Sequence, residues 1–149
     1  MEWRVDDGID IVDWVHFEKS RGELGPGFIR ILGYFREDGA KSVAQIEAAM
    51  REQNTVALVI PAHTLKGEAR QFGAEPLAER AELIEQIARN CIETHRFPDE
   101  LVPDVVELRR LWSATIDLFE KATNPRLTRA APVQGGFGKR TANQSFGRL

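Results

Sequence analysis

The stretch AHTLKGEARQFGAEPLAERAELIEQ, residues 62–86, decides the fold and places the chemistry on one of its faces. At about 100° per residue, Leu58, Ala62, Leu65, Ala69 and Phe72 align in one apolar stripe. That stripe predicts a helix from about Thr55 to Phe72 with one side in a core. Gly73 is a C-terminal stop, and Pro76 suits the first turn of a following helix. His63, Lys66, Gly67 and Arg70 fall opposite the stripe, so the histidine is not a satisfied core residue.

Working outward, helical periodicity continues on both sides. From Gly27 to about Arg51, Phe28, Ile31, Leu32, Phe35, Val43, Ile46 and Met50 recur at three- and four-residue steps. Gly39 interrupts them, at a cost of about 1 kcal/mol relative to alanine, and one long helix is favoured over two short ones. Pro61 predicts either a kink or a helix whose regular part begins there. The helix opened by Pro76 should reach about Glu93, burying Leu77, Leu83, Ile84, Ile87 and Cys91. A last one from Glu100 or Pro103 to Ala122 should bury Val105, Leu108, Leu111, Trp112, Thr115 and Phe119. A short N-terminal helix is expected from Gly8 or Ile9 to Phe17, capped by Asp6 or Asp7, with KSRGELGPG, residues 19–27, as a loop. Strand signals are weak. The expected fold is therefore all-α: an up-and-down antiparallel four-helix bundle with a short additional N-terminal helix, over residues 8–122.

A chain of 149 residues accommodates one such domain. Its net charge of −3 hides an asymmetry, because residues 123–149 carry +5 and no acid, leaving −8 on residues 1–122. An acidic body excludes broad phosphate-backbone binding, so no nucleic-acid partner is expected for the bundle. No membrane span or leader pattern is present either, which predicts a cytoplasmic protein. Cys91 is single and is expected in the core. The basic, glycine-rich tail has the composition of a disordered segment, yet repeats FGK at 137–139 and FGR at 146–148. That repeat is either chance composition or a pair of docking elements.

The His63 face suggests a specific chemistry. A neutral imidazole nitrogen is a nucleophile near neutral pH and can carry a phosphoryl group as a phosphoramidate. Lys66, one turn along, can bring an ammonium to the phosphoryl oxygens. Gly67 leaves space beside the ring for a partner. Arg70 is either a second cation at the site or a solvated charge, and Gln71 reads as polar surface. No metal ligands have the right spacing with His63. His16 and His95 read as surface or capping residues.

The residues His63-Thr64-Leu65-Lys66-Gly67, with Ala69, Phe72-Gly73-Ala74 and Leu77, resemble the signature of the histidine phosphotransfer (HPt) domain family. The likeness covers residues 8–122 in helix order and 62–85 in motif detail. It implies a helical bundle that relays phosphoryl groups to and from receiver-domain aspartates. His63 would be the phosphorylated residue, Lys66 its electrostatic helper and Gly67 the clearance residue. The family places a glutamine, or in some branches a glutamate, on the next helix to bond the other ring nitrogen. Counting 22 residues from His63 gives Glu85. The implied partners are receiver domains of response regulators and of a hybrid histidine kinase, acting on a monomer. No cofactor is expected on this chain, and Mg²⁺ would come with the receiver.

Two positions depart from the pattern. Glu68 stands where serine or alanine is usual and adds charge near the expected phosphate, and Pro61 directly precedes the motif. Val56, Val59 and Ile60 also fall roughly on the His63 side. They predict an apolar docking patch, extended by Ile9, Val12 and Trp14 or Val15 and partly covered by the first helix. Two further readings remain: a receiver-binding adaptor without efficient transfer, on account of Glu68, and a tail-driven nucleic-acid or membrane binder.

Overall fold

The computed structural model describes residues 11–124. Within them the chain forms five α-helices: α1 (Trp14–Leu24), α2 (Phe28–Arg51), α3 (Val56–Gln71), α4 (Glu75–Glu93) and α5 (Val102–Thr123). No strand occurs among the described residues. The fold is an antiparallel four-helix bundle, α2 to α5, preceded by the short α1. The chain divides into compact units at Ile116 and Asp117, within α5. The core and site described below lie N-terminal to that point.

The first helix differs from its sequence expectation. Its N-cap is Asp13, whose Oδ1 accepts from the His16 N–H at 3.1 Å, and the expected loop is helical as far as Leu24. A 3-10 turn, Gly25–Gly27, then leads into α2. Tertiary contacts explain this: Phe17 and Ser20 are buried, and Ser20 Oγ donates to the Gln71 carbonyl at 2.6 Å. His16 Nε2–H donates to the same carbonyl at 3.2 Å. Together they satisfy an acceptor that the end of α3 would otherwise leave open. Ile9, Asp6 and Asp7, like the basic tail from residue 125 onward, lie outside the described residues.

The corner between α3 and α4 is tightly specified. The Ala74 N–H reaches the Ala69 carbonyl at 2.9 Å and the Gly73 N–H reaches that of Arg70 at 3.2 Å, the paired closure of a Schellman end. Gly73 has φ +82°, and a Cβ there would meet the Asp13 carbonyl at 2.6 Å. Glycine is required on both counts. The Gly73 carbonyl accepts from the Asp13 N–H at 2.8 Å, tying the start of α1 to this corner. Above it runs an aromatic core, with Phe72 contacting Phe28 and Phe35, Phe17 contacting Phe28, and Phe35 contacting Trp112 of α5.

As expected, α2 is unbroken, and Gly39 has a packing reason. A Cβ there would overlap the Trp112 indole, whereas one at Gly33 would meet, apart from its own helix turn, nothing of the described residues within 4 Å. On intrinsic propensity both glycines would gain about 1 kcal/mol on becoming alanine. Packing reverses the sign at one of them. Gly39→Ala should lose about 1–3 kcal/mol in urea denaturation, the usual cost of overpacking, while Gly33→Ala gains stability. A stabilised Gly39→Ala would show that Trp112 moves aside freely.

Helix α3 begins at Val56, and Asn54 Oδ1 accepts from the Ala57 N–H at 3.2 Å. Pro61 lies inside this continuous helix, so its regular part does not begin at the proline. The predicted stripe of Leu58, Ala62, Leu65, Ala69 and Phe72 is buried. Val59 and Pro61 are buried as well, because α3 is flanked by α2 on one side and α4 on the other.

Candidate functional site

The exposed edge of α3 meets α4 at one carboxylate. Glu85 is only 4% exposed, and its two oxygens collect three basic side chains. Oε2 lies 2.9 Å from His63 Nδ1, and Oε1 lies 2.8 Å from Lys66 Nζ. Arg89, one turn further along α4, places Nε 3.0 Å and an Nη 2.9 Å from Oε2. Helix spacing explains the meeting, since His63 and Lys66 share a face at i, i+3 and Glu85 and Arg89 share one at i, i+4.

Burial alone would raise the Glu85 carboxyl. Hydrogen bonds from Lys66, Arg89 and His63 outweigh it and hold the group down at about 2, against an ordinary 4.5. The group is therefore an ionised acceptor with no proton to donate. The proton in the His63–Glu85 bond must sit on Nδ1, which in the neutral ring leaves the Nε2 lone pair free on a half-exposed imidazole.

This linkage has a defined sign. Because the folded group titrates lower than the unfolded one, its stabilisation is complete above about pH 4.5 and is lost as pH falls toward about 2. Glu47, lowered chiefly by its hydrogen bonds from Arg109, acts in the same direction. Urea midpoints measured from neutral pH down to about pH 3 should therefore fall more steeply for wild type than for Glu85→Gln, which has no carboxylate to protonate. Parallel curves would show that Glu85 is not held in its ionised form by folding.

Other predicted residues are placed differently. Arg70 is not turned toward His63; it pairs with Glu82 at 2.7 Å and with Glu75 at 3.6 Å, bracing α3 against α4. Glu68 faces α2, where burial first and the charge of Asp38 second raise its carboxyl, and its Oε1 is buried without a partner. Gly67 is exposed, and apart from its own helix turn no atom of the described residues lies within 4 Å of where its Cβ would be, so packing among them does not demand glycine there.

The expected docking patch is narrower than its residues suggested. Val59 is 7% exposed and Val12 is 2% exposed, so both are core residues, Val59 on a helix packed against α2 and α4. Ile60 and Val56 remain exposed, one turn apart on the approach to His63. A shallow groove runs beside Ile60, between Ala48 of α2 and its C-cap Glu52 on one side and Ala57 and Pro61 of α3 on the other. Sequence reasoning missed Arg89, although its i, i+4 spacing from Glu85 was a readable signal.

The family model described as the Hpt domain matches residues 30–117. The chain belongs to the Hpt domain family. The match starts in α2 and ends in α5, so it spans the four-helix bundle and the whole His63–Glu85 site. The crystal structure of histidine-containing phosphotransfer protein B from Pseudomonas aeruginosa PAO1 is similar, with a TM-score of 0.67 and 20% identity. That alignment covers 77% of this chain and 96% of the other. No curated protein matches the sequence significantly. As an Hpt domain the protein functions in histidine phosphotransfer within a phosphorelay, and receiver domains of two-component systems are its partner class. Among the described residues, no helix is long and apolar enough to cross a membrane.

Proposed function

We propose that His63 carries the phosphoryl group, accepting it from a receiver aspartate of a hybrid sensor kinase and passing it to a second receiver. The observation that carries this reading is the 2.9 Å bond from Nδ1–H to an ionised, buried Glu85, which leaves Nε2 outward and unbonded to that partner. In the forward step the Nε2 lone pair forms the N–P bond while the P–O bond to aspartate breaks, its electron pair returning to the carboxylate. Nδ1 keeps its proton throughout, and Glu85 stabilises the positive ring that results. Lys66 spends one donor direction on Glu85 and has two left for phosphoryl oxygens. The reaction's Mg²⁺ belongs to the receiver, and the protein works as a cytoplasmic monomer.

The adaptor reading rested on Glu68. The burial of a Glu68 oxygen and the influence of Asp38 on its carboxyl support transfer over that reading. The test is to mix the protein with a set of radiolabelled phospho-receivers and Mg²⁺, then examine the label's chemistry. Acid-labile, alkali-stable label on the peptide containing His63 is expected. Receiver binding without label across a broad set would reject the carrier role in favour of the adaptor.

Gly67 supplies a separate check on how the partner approaches. With open space at its Cβ position, Gly67→Ala should stabilise the helix by about 1 kcal/mol. A bulkier Gly67→Gln should fold equally well yet slow transfer by at least about tenfold, because a partner's active site must close to within bonding distance of Nε2. Full transfer by Gly67→Gln would mean that receivers approach from another side.

A further inference from the structure

Arg89 donates to the same Glu85 oxygen as the His63 ring, with Nε at 3.0 Å and an Nη at 2.9 Å, beside Nδ1 at 2.9 Å. An ordinary i, i+4 pair joins two solvated groups. Here one partner is a carboxylate with a 6% exposed side chain that already serves an imidazole, and the other is a 56% exposed guanidinium at the rim of the site. Nothing in the HxLKG pattern accounts for it.

The charges around the ring show what Arg89 changes. On α3, Lys66 binds Glu85, Arg70 is neutralised by Glu82 and Glu75, and Glu68 lies toward Asp38 of α2. On α4, Glu82 also accepts from Gln86. Glu52, the C-cap of α2, lines the groove beside Ile60 and Pro61. The charge directly bonded to the ring is therefore that of Glu85, shared with Lys66 and Arg89. A lone carboxylate at Nδ1 would favour the fully protonated imidazolium, whose Nε2 carries a proton and cannot attack.

We propose that Arg89 is a positioning residue for phosphoryl transfer, acting through Glu85: it pins Oε2 beside the ring and offsets part of that oxygen's charge, so that Nε2 stays unprotonated. The transfer role rests on the reading of His63 as the carrier, but the coupling of Arg89 to the ring does not. Lys66 on Oε1 cannot replace it, because Oε2 is the oxygen His63 uses.

The experiment follows the His63 ring by NMR through a pH titration of the full chain, as wild type, Arg89→Met, Arg89→Lys, Glu85→Gln and the Glu85→Gln/Arg89→Met double variant. Arg89→Met should raise the ring's proton affinity about three- to tenfold, and Arg89→Lys should restore most of the difference. In the Glu85→Gln background the effect of Arg89→Met should shrink to less than about half, since the oxygen through which Arg89 acts has lost its charge. In transfer assays the acid limb of the rate profile should move to higher pH by the same factor, with KM for the receiver unchanged.

An unaltered titration in Arg89→Met overturns the proposal, as does a shift undiminished in the Glu85→Gln background. A raised KM with an unmoved pH profile overturns it too, marking Arg89 as a docking contact. The titration needs no receiver. An intact coupling combined with no label from any receiver would reject the carrier reading and leave the Arg89–Glu85–His63 linkage standing.

Discussion

His63→Gln should take up no acid-labile phosphoryl group from any receiver, while folding and receiver binding are retained. Glutamine is close in length to the imidazole, and its amide can still donate to Glu85, so the buried carboxylate keeps a partner in that direction. With the side chain of residue 63 more than half exposed, the cost in stability should stay within about 0.5 kcal/mol. What disappears is the nucleophile, since an amide nitrogen has no available lone pair. Neither of the other two histidines can replace it. His16 uses Nε2–H to cap the end of α3, and His95 sits at φ +54° in the turn closing α4, where no carboxylate among the described residues is bonded to its ring to fix a tautomer. Scintillation counting after gel separation would check this, with a pull-down on the same receiver as the binding control. Residual label in His63→Gln would transfer the carrier role to another side chain and leave the Glu85 arrangement without its proposed purpose.

Much of this was legible before any coordinates. The stripe from Leu58 to Phe72 is strong because α3 and α4 meet at a sharp glycine corner, and each rule involved is local: periodicity, a left-handed stop, a proline at the next first turn. Glu85 was reachable only through the family resemblance, which implies such a group on the next helix, with the 22-residue count from His63 locating it. Non-local facts were not. A helical wheel gives the angle of a side chain but not what stands opposite it, so Val59 read as surface until α2 and α4 closed over both shoulders of α3. The same limit applied to Glu68 and Arg70, whose partners come from α2 and α4. The first helix was misplaced for a related reason. Its pattern is weakly amphipathic, and what extends it to Leu24 is the pair of bonds from His16 and Ser20 to a carbonyl more than fifty residues away.

That dependence on the corner makes Phe72→Ala the most damaging core substitution expected. Phe72 is 1% exposed, with ring centroids 5.8 Å from Phe28 and 5.3 Å from Phe35. Truncation removes the apolar transfer energy of the ring and leaves a cavity bounded by two aromatic side chains, together about 3–5 kcal/mol. Against a typical total of about 5–15 kcal/mol, that is a large part of the stability of the fold. The loss should also be uneven. Phe72 directly precedes Gly73, whose carbonyl anchors Asp13, and directly follows Gln71, whose carbonyl anchors His16 and Ser20. Hydrogen exchange should therefore rise first at the amides of Asp13 and Phe17, while those in the middle of α2 remain protected. Phe72→Leu, which refills much of the volume, should recover most of the midpoint in urea. A loss below about 1 kcal/mol for Phe72→Ala would mean that Phe28 and Phe35 collapse into the space. Alpha1 would then owe its position to its own cap at Asp13 more than to the corner it leans on.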